Sequence, residues 1–177
     1  MSIKYNPEQE AFINRITLDC GLKLKHNNRS GMVVLNAPAG TGKTTIIKKL
    51  YKDCSNTTIL APTHKAVQVL DPSGAMRVST VHSYLGAVDH YTENGKVYFK
   101  FYRPKKATRR LIIVDECSMI NDDMFKAFEM LSQHNLVLFV GDELQLPPND
   151  NSLKDDSSVS SKSKSFDVEE RWSLTQN

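Results

Sequence analysis

The ten residues Asn36 to Thr45, N-A-P-A-G-T-G-K-T-T, constrain the fold of this chain more than any other stretch. An apolar run at 32–35 precedes them, and a run with helical spacing at 46–51 follows. This order predicts a strand, a tight loop and a helix, which is the context that a phosphate-binding loop requires. Gly40 and Gly42 permit backbone dihedrals that other residues avoid, and the N–H groups of the loop and helix start would face a phosphate. We therefore predict a nucleoside triphosphate site.

Two side chains of this loop carry most of the predicted chemistry. Lys43 would place its charge near the β- and γ-phosphates, and the hydroxyl of Thr44 would be a ligand of Mg²⁺. The residue that is usually the first glycine of G-x-x-x-x-G-K-[ST] is Ala37 here. A glycine-rich turn with a surface lysine is the competing interpretation, but the flanking strand and helix favour a nucleotide site. The other loop residues that we assign to nucleotide contact are Pro38, Ala39, Gly40, Thr41, Gly42 and Thr45.

A second acidic motif follows the four aliphatic residues at 111–114. Asp115 at the tip of that strand would bind Mg²⁺ directly or through water, and Glu116 would orient or deprotonate the attacking water. Two acids after a strand often only begin a loop. The phosphate-binding loop upstream makes the catalytic interpretation the stronger one.

Apolar runs alternate with helical segments along the chain, which predicts an α/β fold with a parallel central sheet flanked by helices. Ligands of such sheets bind at the carboxyl ends of the strands, where the polar motifs fall. Asn94 and Gly95 predict the turn of a small β-hairpin insertion at about 86–108. We place the domain at 1–148, a flexible Ser-rich segment at 149–165, and the start of a connection to another domain at 166–177.

Composition narrows the functional class only slightly. The 177 residues are 40% hydrophobic and 24% charged, with a net charge of +3, so composition alone does not indicate nucleic-acid binding. Three widely spaced cysteines favour a reducing compartment over a disulfide framework or a zinc site. There is no signal peptide pattern and no apolar run of membrane-spanning length. We expect an intracellular, soluble protein without a membrane partner, in the cytoplasm or nucleoid, or in a host cell if viral.

Five motifs follow one another along the chain: P-A-G-T-G-K-T (38–44), A-P-T-H-K-A (61–66), S-T-V-H-S (79–83), D-E-C-S-M (115–119) and G-D-E-L-Q-L-P-P (141–148). In sequence and in order they resemble motifs I, Ia, Ib, II and III of superfamily 1 DNA helicases. The resemblance is greatest to the RecD/Dda-like and Pif1-like enzymes that move 5′ to 3′. The resemblance covers residues 6–148. It implies a RecA-like P-loop NTPase domain, ATP and Mg²⁺ as cofactors, and single-stranded and forked DNA as partners.

The resemblance also implies residue roles. Lys43, Glu116 and Gln145 would be catalytic, with Gln145 sensing the γ-phosphate and coupling it to DNA. Gln9 would hydrogen-bond the adenine. The hairpin would bear a strand-separating pin, and the rings of Tyr98 and Phe99 would stack on a base at the fork. The other residues that match segments lining the DNA track are Pro62, Thr63, His64, Lys65, Thr80 and His82.

Several of these residues have plainer explanations that the sequence leaves open. Gln9 lies three residues after Asn6, so it would also complete a helix capping box. His64 and Lys65 could be an ordinary solvated helix start, and His82 could be a buried histidine with satisfied hydrogen bonds. Tyr98 and Phe99 could pack the hairpin against the core.

Motifs IV, V and VI of these helicases are not among the 177 residues, and motifs IV and VI are the ones that supply arginines to the γ-phosphate. We therefore expect the first motor domain of a longer protein, or a naturally truncated product. By itself it would bind ATP·Mg²⁺ weakly, hydrolyse ATP poorly and not unwind DNA, because an arginine finger contributes on the order of 10³-fold or more. A stand-alone nucleotide-dependent binding or regulatory module and an RNA helicase domain remain alternatives. Replication, recombination and repair are the candidate pathways, and replication or recombination proteins are the candidate partners.

Overall fold

The computed structural model describes residues 4–25, 31–91, 93–94, 97–101, 110–145 and 163–175. Within these ranges the chain forms a six-stranded parallel sheet, a two-stranded antiparallel sheet and helices on both faces of the larger sheet. The helices are α1 (Pro7–Lys25), α2 (Lys43–Asp53), α3 (His64–Leu70), α4 (Val81–Leu85) and α5 (Asp122–Ser132). The strands are β1 (Gly31–Asn36), β2 (Thr57–Ala61), β3 (Val78–Thr80), β4 (Ala87–Tyr91), β5 (Val97–Phe101), β6 (Leu111–Val114), β7 (Leu136–Gly141) and β8 (Glu170–Ser173). Short 3₁₀ helices span Cys117–Met119 and Lys164–Phe166.

The central strands are buried on both faces, which explains their continuous apolar sequences. Along β1, Val33 and Leu35 pack into the core on one side of the sheet, whereas Val34 packs into the core on the other side. Residues of α1 and α2 complete the first core, and residues of α5 complete the second. The predicted parallel α/β architecture is therefore confirmed.

The strand order β3-β2-β6-β7-β1-β8 determines where a ligand can bind. From β1 the chain passes through α2 to β2, three positions away on one side, whereas β8 lies on the other side of β1. The connections therefore diverge beside β1, and such a switch point leaves a crevice at the carboxyl ends of the strands. The loop after β1 lies at this crevice.

The starts of α1 and α5 agree with the capping residues in the sequence. Asn121 stands directly before a run with helical spacing at 122–131, which predicts an N-cap. Its side chain accepts a hydrogen bond of 2.9 Å from the backbone N–H of Met124, so this N-cap of α5 is confirmed. Asn6 as a cap and Pro7 at the first helical position predict a helix that ends near Leu18. Helix α1 does begin at Pro7, but it continues to Lys25. Residues 78–85 form strand β3 and helix α4.

The predicted hairpin insertion is present as β4 and β5, with Ala87 opposite Phe101 and Tyr91 opposite Val97. The structure does not describe residues 92, 95–96 and 102–109, so only Asn94 of the predicted Asn94–Gly95 turn lies within the described residues. At the base of the hairpin, the ring centroid of Phe101 is 6.2 Å from that of His82. The insertion is thereby attached to the domain beside α4.

The predicted domain end at 148 is wrong, because β8 is an integral strand of the central sheet. Residues Val33–Asn36 of β1 pair in parallel with Glu170–Ser173. Ser163 and Ser165, assigned above to a flexible segment, are buried at 5% and 0% exposure. The Ser-rich composition indicated a flexible segment, because strand pairing between distant residues and hydrogen bonds of buried hydroxyls leave no local apolar pattern in the sequence. Residues 146–162, the greater part of that segment, lie outside the described residues.

None of the helices in the described part of the chain is long and apolar enough to cross a lipid bilayer.

Gly141 offers a direct test of how closely β7 and the Cys117–Met119 turn pack. A Cβ atom at Gly141 would lie 2.7 Å from the Sγ atom of Cys117 and 3.1 Å from its backbone nitrogen, whereas one at Gly31 would meet nothing within 4 Å. We expect Gly141→Ala to lower the free energy of unfolding by about 1–3 kcal/mol, as overpacking does. Gly31→Ala is the control and should change it by less than about 1 kcal/mol. Urea unfolding of both variants measures the difference, and equal stabilities would contradict this packing.

Candidate nucleotide-binding site

The loop between β1 and α2 has the conformation that its glycines predict. Gly40 and Gly42 have φ angles of 82° and 84°. Gly42 is the N-cap of α2 and provides no side-chain cap, so the N–H groups of the first helical turn have no side-chain acceptor there. Such a helix start attracts anions. Ala37 does not have a positive φ, so the alanine fits this position without backbone strain.

The side chains of the loop are already arranged around it. The Nζ atom of Lys43 donates a hydrogen bond of 2.9 Å to the carbonyl oxygen of Ala37, and the hydroxyl of Thr41 donates one of 2.8 Å to that of Pro38. Lys43 therefore folds back over the loop at whose centre a phosphate would lie. Thr44 is exposed in the first turn of α2, and Thr45 is half-buried.

Gln9 satisfies the plainer of its two predicted roles and adds a contact that was not predicted. Its Oε1 accepts 2.9 Å from the N–H of Asn6, and its own N–H donates 2.8 Å to Asn6 Oδ1, which completes a capping box. Its Nε2 also donates 2.8 Å to the carbonyl oxygen of Thr41 in the phosphate loop. An amide has a second N–H and a second lone pair. Gln9 can therefore hold the loop and still offer a donor and an acceptor to a base.

An open cavity of about 350 Å³ lies between the start of α1 and the phosphate loop. At its rim, Thr175 donates backbone and hydroxyl hydrogen bonds of 2.9 to 3.1 Å to the carboxylate of Glu8. The volume is suited to a small polar ligand. The residues that line it are Asn6, Gln9, Ala39, Gly40, Thr41, Gly42 and Thr175.

The acidic pair follows β6, two strands from β1 in the sheet. Burial and the neighbouring Glu116 raise the pKa of Asp115 to about 6, although the charge of Lys43 opposes this shift. Glu116 has a left-handed backbone with φ 52°, and its N–H donates 3.0 Å to Asp115 Oδ1. A cation beside Asp115 would favour the ionised carboxylate that burial disfavours.

The donor set at this edge fits a nucleotide-bound magnesium ion. A hydroxyl at Thr44 and a carboxylate at Asp115 are hard oxygen ligands, and Mg²⁺ usually takes one or two protein ligands together with phosphate oxygens and water. In the part of the chain that the structure describes, no three His, Cys, Asp or Glu side chains form a preformed metal cluster. A hydroxyl and a carboxylate at this edge suit an ion that is bound together with phosphate.

The loop after β7 brings Gln145 to the same edge, exposed to solvent. Its N–H donates 3.1 Å to the carbonyl of Asp142, whose buried carboxylate accepts 3.0 Å from Leu144 N–H. Glu143 pairs with Arg171, and its N–H donates 3.1 Å to the side chain of Asn36. The sequence interpretation missed Asn36, although its position directly before the phosphate loop was a usable signal.

The residues predicted to contact DNA have mixed placements. Thr63, His64 and Lys65 are exposed at the end of β2, beside half-buried Pro62. The hydroxyl of Thr63 accepts 3.1 Å from Ala66 N–H and so caps α3.

The other four residues divide into two groups. Thr80 is 6% exposed and caps α4 by accepting 3.2 Å from Ser83 N–H, a geometry that favours a structural role over a DNA contact. Burial lowers the pKa of half-buried His82, in keeping with its buried-histidine interpretation. Tyr98 and Phe99 lie on β5, but their side chains are outside the described part of the structure.

The fold and loop together define the class of protein. A phosphate loop after the first strand of a parallel sheet, with an acidic pair two strands away at the same edge, is the arrangement of a P-loop nucleotide-binding domain. Residues 23–151 match a family model described as an AAA domain. The chain belongs to that family.

Two sequence relatives extend this result. The chain is 31% identical over 122 residues to the ATP-dependent DNA helicase Dda of Enterobacteria phage T4. This alignment covers 66% of this chain and 28% of Dda. It is 30% identical over 172 residues to an uncharacterised protein of Acanthamoeba polyphaga mimivirus. This alignment covers 81% of this chain and 33% of the viral protein. The chain thus spans a third or less of each of these two relatives.

Two solved structures share the fold. A structure of two Pif1 helicases at forked double-stranded DNA matches with a TM-score of 0.55 and 24% identity, over 82% of this chain and 35% of that chain. Bacteroides sp. Pif1 in complex with ADP-AlF4 matches with a TM-score of 0.58 and 22% identity, over 85% of this chain and 35% of that chain. The fold is RecA-like, and the predicted resemblance to Dda-like and Pif1-like superfamily 1 helicases is confirmed.

The raised pKa of Asp115 predicts a pH-dependent cost to stability. Its folded-state pKa of about 6 lies above the ordinary 3.8, so the native state is destabilised when the group is ionised and the cost disappears as pH falls below that range. Without Mg²⁺, Asp115→Asn should be more stable than the wild type at pH 7.5 by up to about 3 kcal/mol.

The gain from Asp115→Asn should shrink between pH 6 and pH 4, which urea unfolding across that range measures. Asp123→Asn, at an exposed position in the first turn of α5, is the control and should change stability by less than about 1 kcal/mol. A pH-independent gain in Asp115→Asn would contradict this explanation.

Proposed function

We propose that this chain is the ATP-binding motor domain of an ATP-dependent 5′ to 3′ DNA helicase. The parent protein would translocate on single-stranded DNA and unwind duplex. The observation that carries the proposal is the placement of Lys43, after β1, and Asp115, after β6, at the same carboxyl edge of the parallel sheet. The Dda and Pif1 similarities support the choice of nucleic-acid motor among P-loop proteins.

On this proposal, each residue of the site has one task. Lys43 would exchange its bond to Ala37 for phosphate oxygens, and the N–H groups at the start of α2 would bind the same phosphates. Thr44 and Asp115 would hold Mg²⁺, which supplies charge stabilisation for phosphoryl transfer. Glu116 would take a proton from the attacking water, and Gln145 would respond to the γ-phosphate.

Coupling to DNA would occur along the same edge of the sheet. The exposed start of α3 follows β2, and the acidic pair follows the neighbouring strand β6. The base of the hairpin follows α4, which comes directly after β3 on the other side of β2. Contacts from these elements to the phosphate backbone of DNA would hold a strand without reading its sequence. We expect an arginine from a second RecA-like domain to complete the hydrolytic site.

Nucleotide binding by Lys43→Ala tests the proposal most directly. We expect the wild type to bind a fluorescent ADP analogue with Mg²⁺ and Lys43→Ala to bind at least about 10-fold more weakly, because a charge-assisted phosphate contact is lost. Lys49→Ala is the matched control on the same helix, where Lys49 pairs with Asp53 at 2.8 Å, and it should bind as the wild type does. No nucleotide binding by the wild type would contradict the proposal.

The same preparations separate the alternatives. ATP hydrolysis should be slow with or without single-stranded DNA, and brisk turnover that is lost in Lys43→Ala would show that no second domain is needed. Fluorescence anisotropy with single-stranded DNA and RNA in the presence of nucleotide compares the two partners. A preference for RNA would favour the RNA helicase alternative.

Gln9 provides a paired prediction for base recognition. Gln9→Glu keeps an acceptor for Asn6 N–H and so keeps the capping box, whereas Gln9→Ala loses it. Gln9→Ala should destabilise the start of α1 by about 1 kcal/mol through the lost capping box, and both variants lose the hydrogen bond from Nε2 to the carbonyl of Thr41. Both variants should weaken ADP binding by about 10-fold, because each loses the Nε2 donor. Pyrophosphate is the control ligand, and an equal loss of pyrophosphate affinity would contradict a base contact.

A further inference from the structure

The segment Ser163–Phe166, which we name the clip, lies against the turn that follows the acidic pair. The hydroxyl of Ser163 donates 2.7 Å to the carbonyl oxygen of Ile120, and the hydroxyl of Ser165 donates 2.9 Å to that of Cys117. The two serine hydroxyls are 2.9 Å from each other. A segment more than 40 residues away in sequence therefore bonds both ends of the short turn after Glu116.

The burial of these hydroxyls argues that they have a positional role. Ser165 is fully buried, and Ser163 is 5% exposed. Phe166 already anchors the clip in the apolar core. If packing were the only requirement, apolar side chains at these two positions would pack beside Phe166 equally well. A buried hydroxyl lowers stability unless it is hydrogen-bonded. The serines add directional bonds to particular carbonyl groups.

The turn itself needs such support. Glu116 has φ 52° and is one of two non-glycine residues with positive φ among those described. A conformation of this kind persists only where its surroundings fix it. On the β7 side, the close approach of Gly141 to Cys117 fixes the turn, since a Cβ atom at Gly141 would lie 2.7 Å from Cys117 Sγ. The clip provides hydrogen bonds to the same turn.

The charged contact of the clip does not explain it. Lys164 pairs with Asp122 at 2.8 Å, but the two side chains are 48% and 41% exposed. Exposed ion pairs contribute little because water screens them. The buried serine bonds are the stronger determinant of where the turn lies.

We propose that Ser163 and Ser165 are positioning residues that hold Asp115 and Glu116 in the geometry required for Mg²⁺-dependent nucleotide binding. They act through the carbonyl groups of Cys117 and Ile120 and do not touch the nucleotide. The arrangement of the turn follows from the contacts above. Its consequence for Mg²⁺ rests on the proposed function.

Amide hydrogen exchange tests the arrangement without any ligand. Met119 N–H and Ile120 N–H bond to the carbonyls of Glu116 and Cys117 at 3.0 and 3.1 Å, so they report on the turn. In Ser165→Ala we expect exchange of these two amides to rise by about 10-fold while the amides of β1 and β7 keep their protection. Ser132→Ala, which removes a solvent-exposed hydroxyl-to-carbonyl bond of 2.8 Å in α5, is the matched control and should leave the turn unchanged.

Nucleotide titration then tests the consequence for the acidic pair. We measure the affinity of a fluorescent ADP analogue with Mg²⁺ and with EDTA, and take the ratio as the contribution of the ion. Ser165→Ala should reduce that ratio by at least about 5-fold while the affinity in EDTA stays within about twofold of the wild type. A merely structural role would weaken both affinities alike.

Each outcome decides the inference. Faster exchange confined to the turn, together with a lost Mg²⁺ contribution, supports it. Unchanged exchange at Met119 and Ile120 overturns it, and so does an unchanged Mg²⁺ contribution. If Ser165→Ala loosens the whole sheet, Ser163→Ala decides by the same two readouts. If the wild type binds no nucleotide, the proposed function fails and the positioning role fails with it, while hydrogen exchange still shows whether the clip orders the turn.

Discussion

The backbone at Asn36 and Ala37 is the point on which the rest of the site depends. Ala37 N–H donates 2.7 Å to the carbonyl of Gly141 at the end of β7. The carbonyl of Asn36 accepts 3.0 Å from Leu174 N–H after β8, and its side chain accepts 3.1 Å from Glu143 N–H. Because all three strand ends are joined at these two residues, the phosphate loop has a fixed position relative to the loops that would respond to a nucleotide.

The site combines groups that are unfavourable where they lie. Asp115 is a half-buried carboxylate with a raised pKa, and Glu116 has a left-handed backbone. Neither would be retained for stability alone, since a desolvated carboxylate and a strained backbone both lower the free energy of unfolding. Their presence together, at the edge that also carries Lys43, is the physical reason for regarding this edge as functional.

The two ends of the described chain meet at the same cavity. Glu8 at the start of α1 binds Thr175 after β8, and Gln9 binds the phosphate loop. A nucleotide in this cavity would therefore contact the first helix, the loop and the segment that leaves the last strand.

The sequence by itself determined the features that depend on neighbouring residues. The phosphate loop, the acidic pair, the N-cap at Asn121 and the β4–β5 hairpin all have local patterns, because glycine dihedrals, side-chain caps and apolar periodicity act over a few residues. The capping box of Asn6 and Gln9 was open to prediction for the same reason.

Only the tertiary structure decided the features that depend on distant residues. Strand β8 alternates between half-buried and exposed side chains and lies more than 130 residues from β1, so its sequence does not show that it pairs there. The bonds of Ser163 and Ser165 to the turn after Glu116, and that of Gln9 to Thr41, likewise join segments far apart in sequence. Such contacts form because burial requires partners for polar groups, and which partner is near is fixed by the packing of the whole sheet.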